Sequence, residues 1–524
     1  MNANFLFLTF ISCLFFSCSD GNDNSDVDSA NSPGLGIESD IISSIGITLD
    51  PSGYAPLTAE LSIETTQETY LTVSVIGQQG DASTITRTIE QQSTEFVLDI
   101  LGLYADYDNQ LDITLLDESG STIETHRISL TTEPLIDSLP NVQIDVSSTA
   151  TSIEFNFVNY FGFNQSFQPQ RPFIFDQFGD IRWYLDFSEH PTFSDLFYDN
   201  GMTRMQNGHL VFGNGSTGNI YEIDMLGRMV NSWSLQGNGF HHHVIEKPNG
   251  NLLVTINDVS KSTIEDVVVE IDRELDEIIT TWDLNESLDN TRRAWPTNRA
   301  DLNEDWFHAN AIEYSATDDE IIVSGRTQGI VKLNNQNEVS YILAPHREWN
   351  TSGNGISLAQ FLLTPLDAND TPISDVDVLS GVSNHSDFEW SWYQHSPILL
   401  PNGNLMVFDN GENRNYIDAG PYSRAVEYQI DEENKTIKQV WSYGKERGEQ
   451  TYSEIVSKVS YVAENDSILF TPGAAVTNGT PTGKVVEVDY ATKNVIFEAS
   501  IIPPNTVANI SFHNVLRIGL YGDE

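Results

Sequence analysis

The sequence predicts an all-β protein, a six-bladed β-propeller preceded by a small N-terminal β-sandwich domain. The 524-residue chain carries 35 Gly and 20 Pro, and they are spread between short apolar runs, as in a chain with many turns. No segment shows a long apolar stripe at helical spacing. After residue 140, two apolar runs around a turn recur six times at intervals of about fifty residues, which is typical of four-stranded propeller blades.

The N-terminal segment predicts export. Residues 5–16, FLFLTFISCLFF, are too short to span a bilayer and fit the apolar region of a secretory signal over residues 1–17. The sequence LFFSC that ends at Cys18 resembles a bacterial lipobox, which predicts that Cys18 is lipidated. An acidic stretch, SDGNDNSDVDSANSPG, follows it, so we expect residues 18–38 to form a disordered tether.

These features predict an exported protein, a periplasmic or cell-surface lipoprotein that is anchored in the outer membrane. Its only contact with the membrane would be the lipid. A signal peptide that carries no lipid is the alternative. The two cysteines of the chain, Cys13 and Cys18, both lie in this segment, so no disulfide is expected in the folded part.

Residues 39–135 predict the small β-sandwich. Strand-like runs, such as those at 70–76 and 95–101, alternate with turns such as Gln-Gln-Gly-Asp at 78–81. The segment contains little that suggests chemistry. We therefore expect a supporting domain, and possible partners include a second copy of the chain in a homodimer.

Residues 136–524 carry the repeats and predict the propeller. The residues before the six repeated turns are Asp176, Asp224, Asp272, Asn334, Asp431 and Asp489. A second hairpin lies between successive repeats, as in SPILLPNGNLMVFDNG, so each blade is an inner hairpin followed by an outer one. The long interval before Asp431 indicates an insertion at about 345–389, directly before the strand that begins at His395. The final FHNVLRIGLY would supply a strand that closes the ring.

The charge of the chain excludes one class of partner. Seventy-six acidic residues against 25 basic ones give a formal net charge of −51, which argues against binding to a nucleic acid. An anionic substrate would have to be held by local cations. No glycine-rich phosphate loop or nucleotide fingerprint is present.

Three histidines occupy one position in the repeats. His242 and His395 each stand six residues before the proline of a Pro-Asn-Gly-Asn turn, and His308 begins a third strand pair. In a propeller the first strand of each blade lines the central channel, so we expect these imidazoles to converge at its mouth. Three adjacent histidines at 241–243 leave the register open, and His241 is the alternative to His242.

Two further residues belong to the blade of His308. Arg326 follows the second strand of that hairpin, and Asn310 lies two residues after His308, on the same face of the strand. A guanidinium can bind two oxygens of sulfate or phosphate, and a neutral imidazole is a competent nucleophile. A histidine cluster also suits a metal, with Asp387 or Asp409 as available carboxylates.

At these residues the sequence resembles the bacterial arylsulfate sulfotransferases, which need no nucleotide sulfate donor. The resemblance lies in DWFHANAIEY, SGRTQGIVKLN, WYQHSPILLPNGNLMVFDNG and YSRAVEYQIDEENKTIKQVWSYGKERG, and in PSGYAPLTAEL and LGLYADYDNQLDITLLDESG near the N-terminus. It implies a six-bladed propeller with a small N-terminal β-domain that can dimerise.

The resemblance also implies a reaction, the transfer of a sulfuryl group from a small phenolic sulfate ester to a phenol by a ping-pong route. His395 would be the nucleophile that forms a sulfohistidine. His242, His308 and Arg326 would stabilise the transition state, and Asn310 would help to bind the substrate. No metal and no cofactor are implied. The loop before His395 lacks the cysteine pair that some relatives carry.

Two other functions stay open on the sequence alone. One is a non-catalytic binding propeller displayed on the cell surface, and the other is a metal-dependent hydrolase or lyase that acts on sulfated substrates. Covalent labelling of His395 would distinguish the enzyme from the binding protein, and sensitivity to a chelator would identify the metal-dependent enzyme.

Overall fold

The computed structural model describes residues 37–149, 153–163, 170–197, 199–293, 304–417, 422–474, 476–477, 480–504 and 509–522. Within these ranges the chain is nearly all β, as predicted. The two α-helices found there, α1 (Leu284–Ser287) and α2 (Val376–Leu379), are single turns, and no helix in the described part is long and apolar enough to cross a membrane. The predicted signal segment and Cys18 lie outside the described residues.

The N-terminal domain is a five-stranded antiparallel sheet. Its strands are β1 (Ile42–Leu49), β2 (Thr58–Val75), β3 (Ile85–Leu101), β4 (Asp108–Leu116) and β5 (Thr122–Thr131). The long strand β2 pairs with β1 along its first part and with β4 along its second part, while β3 follows it along both. Alternate residues of β2, among them Leu61 and Val73, are buried, so the sheet covers its core with one face.

The remaining strands follow in chain order. Those up to the middle of the domain are β6 (Asn141–Val146), β7 (Phe155–Phe163), β8 (Phe173–Asp176), β9 (Ile181–Tyr184), β10 (Thr203–Arg204), β11 (Leu210–Asn214), β12 (Asn219–Ile223), β13 (Met229–Ser234), β14 (Gly239–Glu246), β15 (Leu252–Asn257), β16 (Val267–Asp272), β17 (Glu277–Asp283), β18 (Ala309–Ser315), β19 (Glu320–Gly325), β20 (Gly329–Leu333) and β21 (Val339–Leu343). Those after it are β22 (Thr364–Pro365), β23 (His395–Leu399), β24 (Leu405–Asp409), β25 (Arg424–Asp431), β26 (Thr436–Tyr443), β27 (Lys458–Val462), β28 (Ser467–Thr471), β29 (Val476–Thr477), β30 (Thr480–Pro481), β31 (Gly483–Asp489), β32 (Val495–Ile502) and β33 (Asn509–Ile518). Short 3₁₀-helices lie at Gly80–Ser83, Leu358–Phe361, Arg414–Tyr416, Lys445–Gln450 and Ala463–Asn465.

Six four-stranded antiparallel sheets form the second domain in the described part of the chain, and we call them blades 1 to 6. Written from the inner strand outward, they are β33-β7-β8-β9, β10-β11-β12-β13, β14-β15-β16-β17, β18-β19-β20-β21, β23-β24-β25-β26 and β27-β28-β31-β32. Blades 5 and 6 each gain an outer strand, β22 and β6. All six turns predicted from the repeats lie between the two outer strands of a blade.

The inner strands of five blades contact one another in sequence. Strand β14 contacts β18, β18 contacts β23, β23 contacts β27, and β27 contacts β33. The strand expected to close the ring, β33 from the C-terminal part of the chain, pairs with β7 to complete the sheet of blade 1 and contacts β27 of blade 6. The inner strands of blades 3, 4, 5, 6 and 1 therefore lie side by side.

Aromatic residues on the outer strands join each blade to the next. In four blades the indole nitrogen of a tryptophan donates to a carbonyl oxygen in the outer turn of the following blade: Trp183 to Met225, Trp233 to Arg273, Trp282 to Asn334 and Trp441 to Tyr490, at 2.7–3.0 Å. Each of these four tryptophans follows one of the six repeated turns in the sequence. Between blades 4 and 5 the link is an ion pair at 2.5 Å from Lys332 to Glu432.

The predicted insertion packs over blades 4 and 5. Leu363, Ile373, Val378 and Phe388 share a buried apolar cluster with Trp390, whose indole nitrogen donates to the Val378 carbonyl at 2.8 Å. The segment that leads into the inner strand of blade 5 is thereby fixed on both sides.

We expect the tryptophan links to contribute measurably to stability. Trp282 is fully buried, so Trp282→Phe should lower the free energy of unfolding by about 2 kcal/mol, roughly half for the lost hydrogen bond and half for the lost volume. Urea unfolding followed by circular dichroism measures this change. Leu275→Ala, in the same blade but 64% exposed, is the control and should alter stability by less than about 0.5 kcal/mol. Equal effects of the two substitutions would contradict the role of the link.

Candidate active site

The inner strands of four blades are irregular close to a histidine. Their pairing shifts register between Phe240 and Val244, Ala309 and Ala311, His395 and Ile398, and Phe512 and Val515. Such bulges leave a residue unpaired and redirect its side chain. His242, His308 and Ser396 have positive φ angles of 54°, 57° and 51°, a conformation that costs non-glycine residues about 1–3 kcal/mol and is concentrated at functional sites.

His395 begins β23, and its ring is held at one nitrogen. The Nδ1 atom lies 2.8 Å from Asn410 Oδ1 and 3.0 Å from the carbonyl oxygen of Tyr393. Both partners accept, so Nδ1 carries the proton and Nε2 keeps its lone pair. The amide nitrogen of Asn410 donates to the carbonyls of Ser453 and Val456, which fixes its oxygen toward the ring. Burial lowers the pKa of His395 well below its ordinary value, so the ring is neutral.

His242 and His308 form a pair whose Nε2 atoms are 2.9 Å apart. The Nδ1 atom of His242 contacts Asp199, and Nδ1 of His308 lies 2.7 Å from Asp305 Oδ2. The Nδ1–H of His308 donates to Asp305, and Nδ1 of His242 lies against the Asp199 carboxylate. The two Nε2 atoms share one hydrogen bond, so one of them donates and the other accepts.

Glu265 is the third carboxylate of the cluster. Its Oε2 atom lies 2.6 Å from His241 Nε2 and contacts Nδ1 of His308. Although burial opposes the effect, the two imidazoles lower the pKa of Glu265 below its ordinary value. Burial alone would lower the pKa of His241, but the carboxylates of Asp199 and Glu265 together raise it. These opposite shifts favour an ionised Glu265 beside a protonated His241.

Both members of the His241 and His242 alternative lie in this cluster, with ring centroids 3.8 Å apart. His242 lines the cavity that His395 and Asn310 also line. Burial and the neighbouring imidazoles lower the pKa of His242 well below its ordinary value. His241 is turned toward Glu265 instead, so His242 is the one that faces the cavity.

Asn310 lines the cavity of His395, whereas Arg326 lines a neighbouring cavity together with Tyr393 and Gln394. Arg326 follows β19 and is 8% exposed, and its charge adds to burial in lowering the pKa of His395. Asn310 donates from Nδ2 to the carbonyl of Gln394, the residue before His395, at 2.9 Å. Asn310 thus ties blade 4 to blade 5 at the nucleophile candidate, in addition to lining the cavity.

A fourth blade contributes His513, which the sequence analysis did not single out. It lies in β33, lines the same cavity and places Nε2 3.5 Å from Asp199 Oδ1. A signal was present, because Phe-His pairs at 240–241, 307–308 and 512–513 occur in or at the start of three inner strands. The Pro-Asn-Gly-Asn turn that marked other blades does not follow His513.

The carboxylates of the cluster were also missed. Asp409, considered from the sequence as a ligand, pairs with two arginines instead, and Asp387 lies in the insertion, 36% exposed at its side chain. The carboxylates that reach the histidines are Asp199, Glu265 and Asp305. All three lie in connecting segments, which follow no repeat spacing.

Sequence profiles of known families match both domains. The profile described as Arylsulfotransferase (ASST) matches residues 141–508, and the one described as Arylsulfotransferase Ig-like domain matches residues 46–133. The chain belongs to the arylsulfotransferase family. The resemblance inferred from the sequence motifs is therefore confirmed.

Two curated relatives of this arylsulfotransferase are both named arylsulfate sulfotransferase AssT. The one from Escherichia coli O6:H1 (strain CFT073) is 33% identical over 63% of this chain, and the alignment spans 62% of that protein. The one from Lelliottia amnigena is 29% identical over 87% of this chain and 90% of its own length. The chain therefore spans less than two thirds of the first relative and most of the second.

Two solved structures show a distant likeness to the arylsulfotransferase chain. A protein of unknown function from Bacteroides caccae has a TM-score of 0.41 and 12% identity, covering 70% of this chain and 99% of its own. A virginiamycin B lyase from Staphylococcus aureus has a TM-score of 0.33 and 9% identity, covering 70% and 88%. At these scores neither carries an argument about function.

Three half-buried ionisable groups lie near the histidine cluster of the arylsulfotransferase. His243 and Lys458 line the same cavity, and burial raises the pKa of Glu313 to about 7. Burial, reinforced by the charge of Lys458, lowers the pKa of His243 to about 3. The Nδ1 atom of His243 accepts a hydrogen bond of 3.0 Å from the backbone of Ile312. The folded protein therefore requires a neutral His243.

We expect His243 to make the arylsulfotransferase sensitive to acid. Its pKa is about 3 in the folded protein and about 6.5 in an unfolded chain, so between these pH values the unfolded chain binds one more proton. Stability must then fall as the pH drops through this window, by about 1.4 kcal/mol per unit from this group alone. His243→Gln keeps an acceptor for the Ile312 amide and removes the effect.

The free energy of unfolding in urea, measured at several pH values, tests this expectation. Its slope against pH should be shallower in His243→Gln than in the wild-type protein. His385→Gln, at a side chain that is 35% exposed, is the matched control and should leave the slope unchanged. Equal slopes for wild type and His243→Gln would show that His243 does not titrate in this way.

Proposed function

We propose that this arylsulfotransferase moves a sulfuryl group from a phenolic sulfate ester to a phenol by a ping-pong route through a sulfohistidine at His395. The observation that supports this most directly is the fixed ring of His395. Asn410 and the Tyr393 carbonyl hold its Nδ1–H, and the ring borders a cavity that histidines of two other blades also line. A neutral imidazole with one free lone pair is the nucleophile that the reaction requires.

In the first half-reaction the Nε2 lone pair of His395 forms a bond to sulfur. The bond between sulfur and the phenolic oxygen breaks, and its electron pair leaves with the phenolate. Negative charge on the sulfuryl oxygens is then stabilised by Arg326 and by the hydrogen-bonded pair of His242 and His308, which are held in place before the reaction begins. The proton that this pair shares can pass to the departing phenolate.

In the second half-reaction the oxygen of the acceptor phenol attacks the sulfur of the sulfohistidine. The sulfur–nitrogen bond breaks, and Nε2 of His395 regains its lone pair. The phenolic proton returns to the histidine pair, so the site is restored. Asn310 acts mainly as a positioning residue in this scheme, because its amide holds the backbone that precedes His395.

Intact-mass analysis tests the covalent step. Protein mixed with 4-nitrophenyl sulfate alone should gain the mass of one sulfuryl group, and addition of a phenol should remove it while nitrophenolate is released. His395→Ala should show neither event. His209→Ala, at a side chain that is 31% exposed and bound to Glu222, is the control and should behave as the wild type.

The same experiment separates the competing functions. A wild-type protein that folds but gives no adduct and no phenol-dependent release is a binding propeller. Turnover without an adduct that stops with a chelator indicates the metal-dependent enzyme. Thermal unfolding of His395→Ala, compared with the wild type, shows whether loss of the adduct reflects the missing nucleophile or a failure to fold.

We also propose that the protein is an exported lipoprotein, anchored through Cys18. The proposal is supported by the lipobox-like LFFSC sequence and the acidic stretch that follows it. Cys18→Ser should move the protein from the membrane fraction to the soluble fraction of cells and abolish the incorporation of labelled fatty acid. Membrane association that survives Cys18→Ser would contradict the anchor. The matched control is Cys13→Ser, five residues earlier in the apolar run.

A further inference from the structure

We propose that His241, His242, His308 and Glu265 bind one divalent transition-metal ion of the Zn²⁺ class, and that this ion and the sulfate ester exclude each other. The first part of the proposal stands on the ligand geometry alone. The second part rests on the proposed function, because it assigns His242 and His308 to both ligands.

The donor set suits such an ion. One ligand atom from each of the four residues lies within 4.8 Å of all the others, and all four residues are largely buried. Imidazole nitrogens with a carboxylate oxygen are the ligands that Zn²⁺ prefers in tetrahedral sites. Mg²⁺ and Ca²⁺ prefer oxygen ligands throughout. The cluster is therefore selective by its chemistry for a transition metal.

The groups around the histidines also support a metal site. Metal-binding histidines usually donate their second ring N–H to a carboxylate, which fixes the ring and makes the coordinating nitrogen more basic. Nδ1 of His242 contacts Asp199, and Nδ1 of His308 is 2.7 Å from Asp305. The two Nε2 atoms that remain face each other at 2.9 Å. A metal ion bound to both would take the place of the hydrogen bond between them.

The carboxylates around the histidines also favour a bound cation. The carboxylates of Asp199, Glu265 and Asp305 all contact ring nitrogens of the cluster. Buried carboxylates are unfavourable unless a positive charge compensates them. A divalent cation bound at the histidines supplies that charge. While the ion occupies the Nε2 atoms of His242 and His308, those atoms are not available to a sulfate ester.

Metal binding is tested on the full chain without an affinity tag, after treatment with EDTA. Dialysis against ZnCl₂ followed by elemental analysis should give one equivalent per chain, and CoCl₂ should produce the visible absorption of a tetrahedral Co²⁺ site. MgCl₂ and CaCl₂ should not compete. His308→Ala and Glu265→Gln should lose the stoichiometric ion, and Asp305→Asn, which keeps the shape of the side chain, should weaken binding by about 10–100-fold.

Two variants keep this test independent of the proposed function. His395→Ala removes the proposed nucleophile but no proposed metal ligand, so it should bind Zn²⁺ with unchanged stoichiometry while showing no transfer. His209→Ala, outside the cluster, should bind as the wild type. Absence of a stoichiometric ion in the wild type, or undiminished binding in Glu265→Gln and Asp305→Asn, would overturn the metal site. Transfer that continues unchanged in the Zn²⁺-loaded wild type would overturn the mutual exclusion.

Discussion

The arrangement of the molecule depends on the hydrogen bond that joins one blade to the next at its outer edge. Each indole nitrogen reaches a turn carbonyl of the neighbouring blade, so the bond sets both the spacing and the rotation between sheets. Where tryptophan is missing, as between blades 4 and 5, a buried lysine bridges the same gap. Because the outer edges are fixed, the inner strands are held close together. Side chains that are far apart in sequence therefore line one cavity.

Regular strands alone would not aim those side chains at one another. The left-handed backbone at His242 and His308 redirects their rings, and the strain is offset by hydrogen bonds that tie each blade to its neighbour. Asn410 holds His395, and Asn310 holds the residue before it. The carboxylates of Asp199 and Glu265 then raise the pKa of His241. The site is consequently a property of four blades together, and none of them carries it alone.

The sequence predicts the periodic part of this arrangement and misses the rest. The blade count followed from apolar runs, turns and aromatic residues, all of which recur because each blade solves the same packing problem. The position of His242, His308 and His395 followed from register within that repeat. Asp199, Glu265 and Asp305 were not predictable, because connecting segments obey no period. His513 was missed because the last strand, β33, pairs with β7 of the first blade. It is therefore not followed by the turn and second strand that marked the other inner strands in the sequence.

The last strand, β33, also determines when the histidine cluster is complete during folding. Synthesis delivers the chain from its N-terminus, so blades 2 to 5 can form while blade 1 still lacks β33. Pairing β33 with β7 joins residues that are 346 to 363 positions apart, a step with a large entropic cost that comes late in folding. The same step brings His513 to the cluster. A chain that has not finished folding therefore lacks one wall of its cavity, and the histidine cluster is completed only when the whole ring is.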